Sequence, residues 1–156
     1  GQLDMVRLGI GLYGINPTAG SHPELKPVAT LKSVVSQVKI VNAGDTIGYG
    51  RRGTTARPTT TATIAIGYAD GFSRAFSRGK GVVWIKGRLA PVIGNVCMDM
   101  AMVDVTGMDV RAGDEVIIFG PELPITEVAA RIDTIPYEIL TATSERVKRV
   151  YYAASI

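Results

Sequence analysis

Cysteine, histidine and tryptophan occur once each in this chain, and these scarcities bound its chemistry first. Cys97 has no second thiol to pair with, which excludes an internal disulfide. A single thiol and a single imidazole, His22, supply no spaced set of metal ligands, and His22 lies in a proline-flanked stretch that disfavours a Cys/His nucleophile pair. No apolar run approaches the roughly 20 residues that a membrane helix needs. No basic segment followed by an apolar one opens the chain, so no leader is expected. The expected setting is cytoplasmic, with no membrane partner. Charge of one sign is also lacking: 17 Lys and Arg face 14 Asp and Glu, a net of +3. The basic residues are scattered apart from Arg51-Arg52 and the group Arg146, Lys148 and Arg149. Nucleic-acid binders concentrate such charge and interleave aromatics, so no nucleic-acid partner is expected. A small anion such as a phosphate is equally compatible.

Glycine and proline, at 18 and 8, punctuate the chain densely. Between them lie short runs rich in β-branched residues. Residues 28–41 read as one long strand or two short ones, and 59–66, 81–86, 89–93, 101–105 and 115–119 read as strands. Residues 125–132 carry apolar side chains at helical spacing, and Pro136 suits the first turn of a second short helix over 136–143. A last strand is expected over 147–151. The fold class is therefore mainly β: a small barrel-like or Greek-key β domain with two short C-terminal helices. Residues 18–27, with their prolines, read as a linker between a stub (1–17) and the β domain (28–156).

Two local patterns need weighing. Gly9-Ile-Gly-Leu-Tyr-Gly14 matches the dinucleotide fingerprint, but Asn16-Pro17 stops the helix that this mechanism demands, and no βαβ unit surrounds it. Its backbone N–H groups remain able to hold a phosphate. Residues 41–47 and 110–116 also echo each other, each with Ala-Gly-Asp at its centre, and read as one turn type used twice.

Five segments in fixed order resemble alanine racemase: Asp4-Met-Val-Arg-Leu-Gly-Ile-Gly-Leu-Tyr-Gly14, Gly48-Tyr-Gly-Arg51, Ile66-Gly-Tyr-Ala-Asp-Gly71, Val96-Cys-Met-Asp99 and Thr134-Ile-Pro-Tyr-Glu-Ile-Leu140. The resemblance implies a C-terminal β domain preceded by the last strand of a TIM-type barrel. It also implies pyridoxal 5′-phosphate (PLP) as cofactor, with Arg7 on its pyridine nitrogen and Gly9, Ile10 and Tyr137 at its phosphate. Tyr49 would be a catalytic base, and Tyr68, Met98 and Asp99 would bind substrate. Family members are similar in being head-to-tail homodimers with shared active sites, so Tyr49 would serve the partner subunit. The implied activity is an isomerase that interconverts L- and D-alanine, with D-alanine feeding peptidoglycan and cell-wall synthesis. Asn95 departs from the arginine common there, and its role is left open.

Racemisation removes an α-proton on one face and returns one on the other, which two opposed bases do most directly. A tyrosine hydroxyl ordinarily keeps its proton to about pH 10, so the chemistry needs nearby cations, and Arg51 is one candidate. The family's PLP lysine belongs to a motif near the start of the barrel, and none of Lys26, Lys32, Lys39, Lys80, Lys86 and Lys148 sits in such a context. The chain thus reads as part of a longer protein, one that adds a barrel alone or a barrel and a fused ligase. On its own it is expected to be inactive, its stub packing poorly. Taken singly, each residue has a plainer reading: Tyr49 as a turn residue, Arg7 as a surface cation, Met98 as core filler, Asp99 as a cap. Alternatives are a racemase for serine or lysine, a small basic β-barrel that binds nucleic acid, and a purely structural dimerisation domain.

Overall fold

Alternation of β-branched residues with polar ones produces strands with one apolar face, and here six of them close on themselves. The computed structural model describes residues 4–16 and 24–152. Its strands are β1 (Leu31–Val41), β2 (Thr46–Ile47), β3 (Gly53–Thr54), β4 (Thr59–Ile64), β5 (Val82–Ile85), β6 (Arg88–Ile93), β7 (Ala101–Asp104) and β8 (Glu115–Phe119). The barrel runs β1-β4-β7-β6-β5-β8 with antiparallel pairing throughout, and β2-β3 form a separate two-stranded ribbon. Two helices follow, α1 (Ile125–Ala130) and α2 (Pro136–Ala142).

The bend in β1 makes closure possible. Its first half pairs with β8 (Ser33 opposite Val116) and its second half with β4 (Val38 opposite Ala62). The register shifts between Val35 and Gln37, as a bulge requires. That shift keeps Leu31 and Val35 buried on one side of it and Val38 packed against the core on the other. Ala62, Ile64, Val83, Ile85, Ala90, Val92, Ala101, Val103 and Val116 fill the interior at 0–1% exposure. Leu123, Val128 and Ala129 join the same core from the β8–α1 turn and α1. Phe72 and Phe76 stack at 4.8 Å beside it.

The mainly β reading holds, with one correction. Residues 147–151 form no strand: after a bonded turn, Val147 N–H to Ser144 O, the chain runs on without sheet partners. β1 and β8 close the barrel on each other, so the sheet has no edge left for a further strand. Of the stub's described residues, Ile10 and Ile15 belong to the core, whereas Met5, Val6, Leu8, Leu12 and Tyr13 stay exposed. The glycine fingerprint forms one 3₁₀ turn, Ile10–Tyr13, with no long helix after it. Most of the expected linker lies outside the described residues, as does His22.

The echoed segments are indeed one turn used twice. Gly44 and Gly113 both take positive φ (85° and 94°), and Asp45 and Asp114 each donate back three residues, to Asn42 O and Arg111 O. The two copies are braced differently: Thr55 Oγ1 donates to Asn42 O in the first, and the aspartate side chain itself clamps the second. The Asp114 carboxylate accepts the Arg111 backbone N–H at 2.7 Å and meets Lys86 Nζ at 3.1 Å. The backbone N–H first and Lys86 second hold this carboxyl below its ordinary range. A depressed folded value adds stability above the unfolded one and loses it as pH falls through the folded value. The domain should therefore weaken below about pH 4, the unfolded value for Asp, and Asp114→Asn should flatten part of that slope. Urea midpoints in acid and at neutrality measure this; parallel pH dependence in both proteins would refute it.

Candidate active site

The candidate residues fall at three stations on the barrel surface. The first is the β2–β3 ribbon, which folds over the outer face of β1, β4 and β7. Glycines on both sides of Tyr49 let the chain turn within three residues: Gly48 and Gly50 take φ of 75° and 69°, and Arg51 follows at 53°. Tyr49 emerges 79% exposed, and its hydroxyl has no hydrogen-bond partner among the described residues. Beneath it opens a cleft of about 440 Å³ lined by Lys39, Thr61, Thr63, Cys97, Met100 and Met102, among others. Arg51 is exposed and makes no bond to Tyr49.

The second station joins two segments that lie apart in sequence. Tyr68 opens a 3₁₀ turn, Tyr68–Asp70, laid against the Cys97–Met98 backbone. The Tyr68 and Ala69 N–H groups donate to Cys97 O and Met98 O, each at 3.0 Å. A side chain at Gly67 would stand 2.3 Å from both of those oxygens, so only glycine allows this approach. Asp70 ties the turn together. Its carboxylate accepts the Gly67 N–H at 2.8 Å and Arg146 Nε at 2.7 Å. Arg146 also reaches Asp99 at 2.5 Å, and these two carboxylates, Asp99 first, raise its guanidinium pKa. Tyr68, Met98 and Asp99 are thus neighbours, all partly exposed (42%, 52% and, for the Asp99 side chain, 53%). Cys97 links this station to the first, since it also lines the Tyr49 cleft.

The third station pairs the stub with α2. A Cβ on Gly9 would sit 2.8 Å from the Tyr137 hydroxyl, so the two residues meet because Gly9 has no side chain. Ile10 buries its side chain in the core and is left with its backbone to offer a ligand. Arg7 is exposed and makes no ion pair with the described residues. Among the described residues no hydrogen bond or ion pair joins this third station to Tyr49.

Sequence reasoning missed the ribbon and the double carboxylate contact of Arg146. Asn95 is buried, accepts Arg78 Nε at 3.4 Å and does not reach the candidate residues with its side chain. Arg74, just after the Tyr68 turn, donates to Val96 O at 3.1 Å and braces the same junction. Among the described residues no group of His, Cys, Asp and Glu is arranged to hold a metal ion, and no helix is long and apolar enough to cross a membrane.

A family model described as "Alanine racemase, C-terminal domain" matches residues 28–151. The chain is 44% identical over 158 residues to an alanine racemase of Desulfosudis oleivorans, covering 96% of this chain and 40% of that protein. It is 46% identical over 160 residues to an alanine racemase of Vibrio cholerae, covering 99% of this chain and 44% of that protein. Among solved structures, an alanine racemase of Clostridium difficile 630 superposes with a TM-score of 0.87 at 43% identity, over 96% of this chain and 40% of that one. The Bartonella henselae alanine racemase with covalently bound pyridoxal phosphate gives 0.86 at 42% identity, over 92% and 40%. The chain therefore spans less than half the length of these relatives.

Asp70 provides a direct check on the second station. Asp70→Ala leaves the Gly67 N–H without its acceptor and Arg146 with one carboxylate, and should cost about 1–3 kcal/mol. Asp99→Ala removes a half-exposed contact and should cost at most about 1 kcal/mol. Urea unfolding of both variants orders the two; an equal or reversed order would show that Asp70 does not hold the turn.

Proposed function

This chain belongs to the alanine racemase family as its C-terminal domain, and from that premise we propose that its parent protein interconverts L- and D-alanine with Tyr49 as one of two catalytic bases. The observation that carries the reading is the presentation of Tyr49. A glycine-flanked turn holds it out above a cleft with its hydroxyl unbonded, which suits a group that must take and return a proton. Tyr49 points outward from its own barrel and, among the described residues, makes no hydrogen bond to the Gly9–Tyr137 station. Both features favour a site completed by another subunit, in a homodimer with shared active sites. A preceding barrel domain, of which residues 1–17 are the end, would supply the lysine base for the opposite face.

The residues fit PLP at one point that can be stated. Gly9 and Tyr137 form a cradle that a Cβ would fill, and a hydroxyl beside a glycine backbone is the donor set a phosphate group takes. When bound, PLP supplies the electron sink for the α-carbanion. Gly9, Ile10 and Tyr137 would hold its phosphate, and Arg7 its pyridine nitrogen. An arginine there disfavours protonation of that nitrogen, which restrains side reactions. Tyr68, Met98 and Asp99 would receive the substrate, and the Asp70–Arg146–Asp99 contacts keep their two segments in register.

D-Alanine for peptidoglycan is the product this reading assigns, in the cytoplasm. Family membership favours it over a nucleic-acid-binding barrel or a purely structural domain, and the relatives named above are alanine rather than serine or lysine racemases. The 156-residue chain alone, with no lysine in the family's motif, should form no covalent adduct with PLP and racemise nothing. A stable adduct on a defined lysine, seen by absorbance, would overturn this.

In the full-length enzyme, Tyr49→Phe should keep the fold and PLP while losing about 10²–10⁴-fold in turnover. The loss of kcat/KM should be equal in both directions, as an equilibrium constant of unity requires, but the α-hydrogen isotope effect should rise more for the enantiomer whose proton Tyr49 abstracts. Tyr68→Phe should act on substrate binding and Tyr137→Phe on PLP affinity. Near-normal turnover in Tyr49→Phe with loss in Tyr68→Phe would mean that the base is the other tyrosine.

A further inference from the structure

Tyr49 stands on a ribbon with little structure of its own. β2 and β3 share two registered pairs, Thr46 with Thr54 and Ile47 with Gly53. Beyond these, Gly44 N–H reaches Thr55 O, Thr55 Oγ1 reaches Asn42 O, and Arg51 N–H reaches Gly48 O at a long 3.3 Å. A two-stranded ribbon of this size is not stable by itself, so contacts with the barrel must fix where Tyr49 points.

Those contacts fall on both flanks of the tyrosine. On one side a Cβ at Gly48 would lie 2.8 Å from Met102 Cε, so the methionine methyl packs directly on that backbone. On the other, a Cβ at Gly53 would lie 3.0 Å from Ile47 O and Ile93 Cγ2 and 3.1 Å from Gly94 Cα. The fit is mutual, because a Cβ at Gly94 would lie 3.0 Å from Ile47 O and 3.4 Å from Gly53 N. At the tip the packing stops: a Cβ at Gly50 would meet only Arg52 Cγ, at 3.7 Å. The supports come from the rigid part of the molecule. Met102 is paired with Thr63 of β4 and Ile93 of β6, and its neighbours Ala101 and Val103 are fully buried inside the barrel. Gly94 directly follows Ile93.

We propose that Met102 and Gly94 are positioning residues for Tyr49, seating its turn on the barrel so that the hydroxyl stands at a fixed reach from the α-carbon of the substrate. This rests on the reading of Tyr49 as a base. Met102 lines the cleft beneath Tyr49, and both residues are assigned a role through the backbone on the flanks of the tyrosine. Displacing a reacting group by about 1 Å can cost about 10²-fold, so a support at this contact distance has catalytic weight.

The test uses the full-length PLP enzyme and the variants Met102→Ala, Met102→Leu, Gly94→Ala and Tyr49→Phe. Met102→Ala removes the prop beneath Gly48, and Gly94→Ala pushes a methyl against Ile47 O. Each should lower kcat about 10- to 100-fold with little change in KM or PLP affinity. Each should also raise the isotope effect for the same enantiomer that Tyr49→Phe affects, and Met102→Leu, which refills the space, should recover most of the Met102→Ala loss. The double variant Tyr49→Phe/Met102→Ala should be no slower than Tyr49→Phe alone, because two changes that act through one hydroxyl do not add. If Gly94→Ala does not fold, the Met102 set decides. An isotope effect that rises equally for both enantiomers, a loss that follows PLP affinity, additive effects in the double variant, or unchanged turnover in Met102→Ala would overturn the proposal while leaving Tyr49 as the base. Normal turnover in Tyr49→Phe would instead remove the reading beneath it.

Discussion

Closure of the sheet is the constraint on which the rest of this structure depends, and it comes down to one bent strand. β1 pairs with β8 before its bulge and with β4 after it, so the sheet meets itself and leaves no exposed edge. Inward side chains then form a single core of small and branched residues. Apart from Ile10, whose side chain joins the core, the residues assigned a chemical role lie outside it, on turns, on the ribbon, on the stub and on α2. The barrel is in this sense a mount, and its outer face holds the ribbon through Met102 and Gly94.

The sequence was informative where its signals were periodic. Residues 59–64 and 115–119 alternate or run continuously apolar between turn residues, and both are strands as read. The helices at Ile125 and Pro136 were visible for the corresponding reason, spacing in one case and proline at the first position in the other. The ribbon was not visible. Strands of two residues have no period, and their existence is encoded in positive φ at Gly48 and Gly50 and in backbone contact with Gly94, which no local pattern announces. The error at 147–151 has the opposite cause. Val147, Val150, Tyr151 and Tyr152 have strand composition, but a closed sheet offers them no partner.

The site shows the same division. The ordered motifs pointed to the tyrosines, and the structure places Tyr68 beside Met98 and Asp99 and Gly9 beside Tyr137. The element that links Tyr68 to Asp99 was out of reach of a one-dimensional reading. Arg146 is 76 residues from Asp70 and 47 from Asp99, and its pairing with both is a property of the folded chain alone. Under the proposed function this bridge keeps substrate contacts aligned, whereas Tyr49 is aligned separately by its own supports, so orientation of the substrate and of the base are held by different parts of the domain.

The barrel's seam has a consequence of another kind. β5 and β8 are joined by one registered pair, Trp84 opposite Ile117, whereas β1 and β4 share six. Local opening of a protein favours boundaries with few cross-strand bonds, and this seam is one of them. The chain's single tryptophan stands at that boundary, half-buried against the core. Its indole is therefore a natural optical probe of that boundary, without a label and apart from anything that happens at Tyr49.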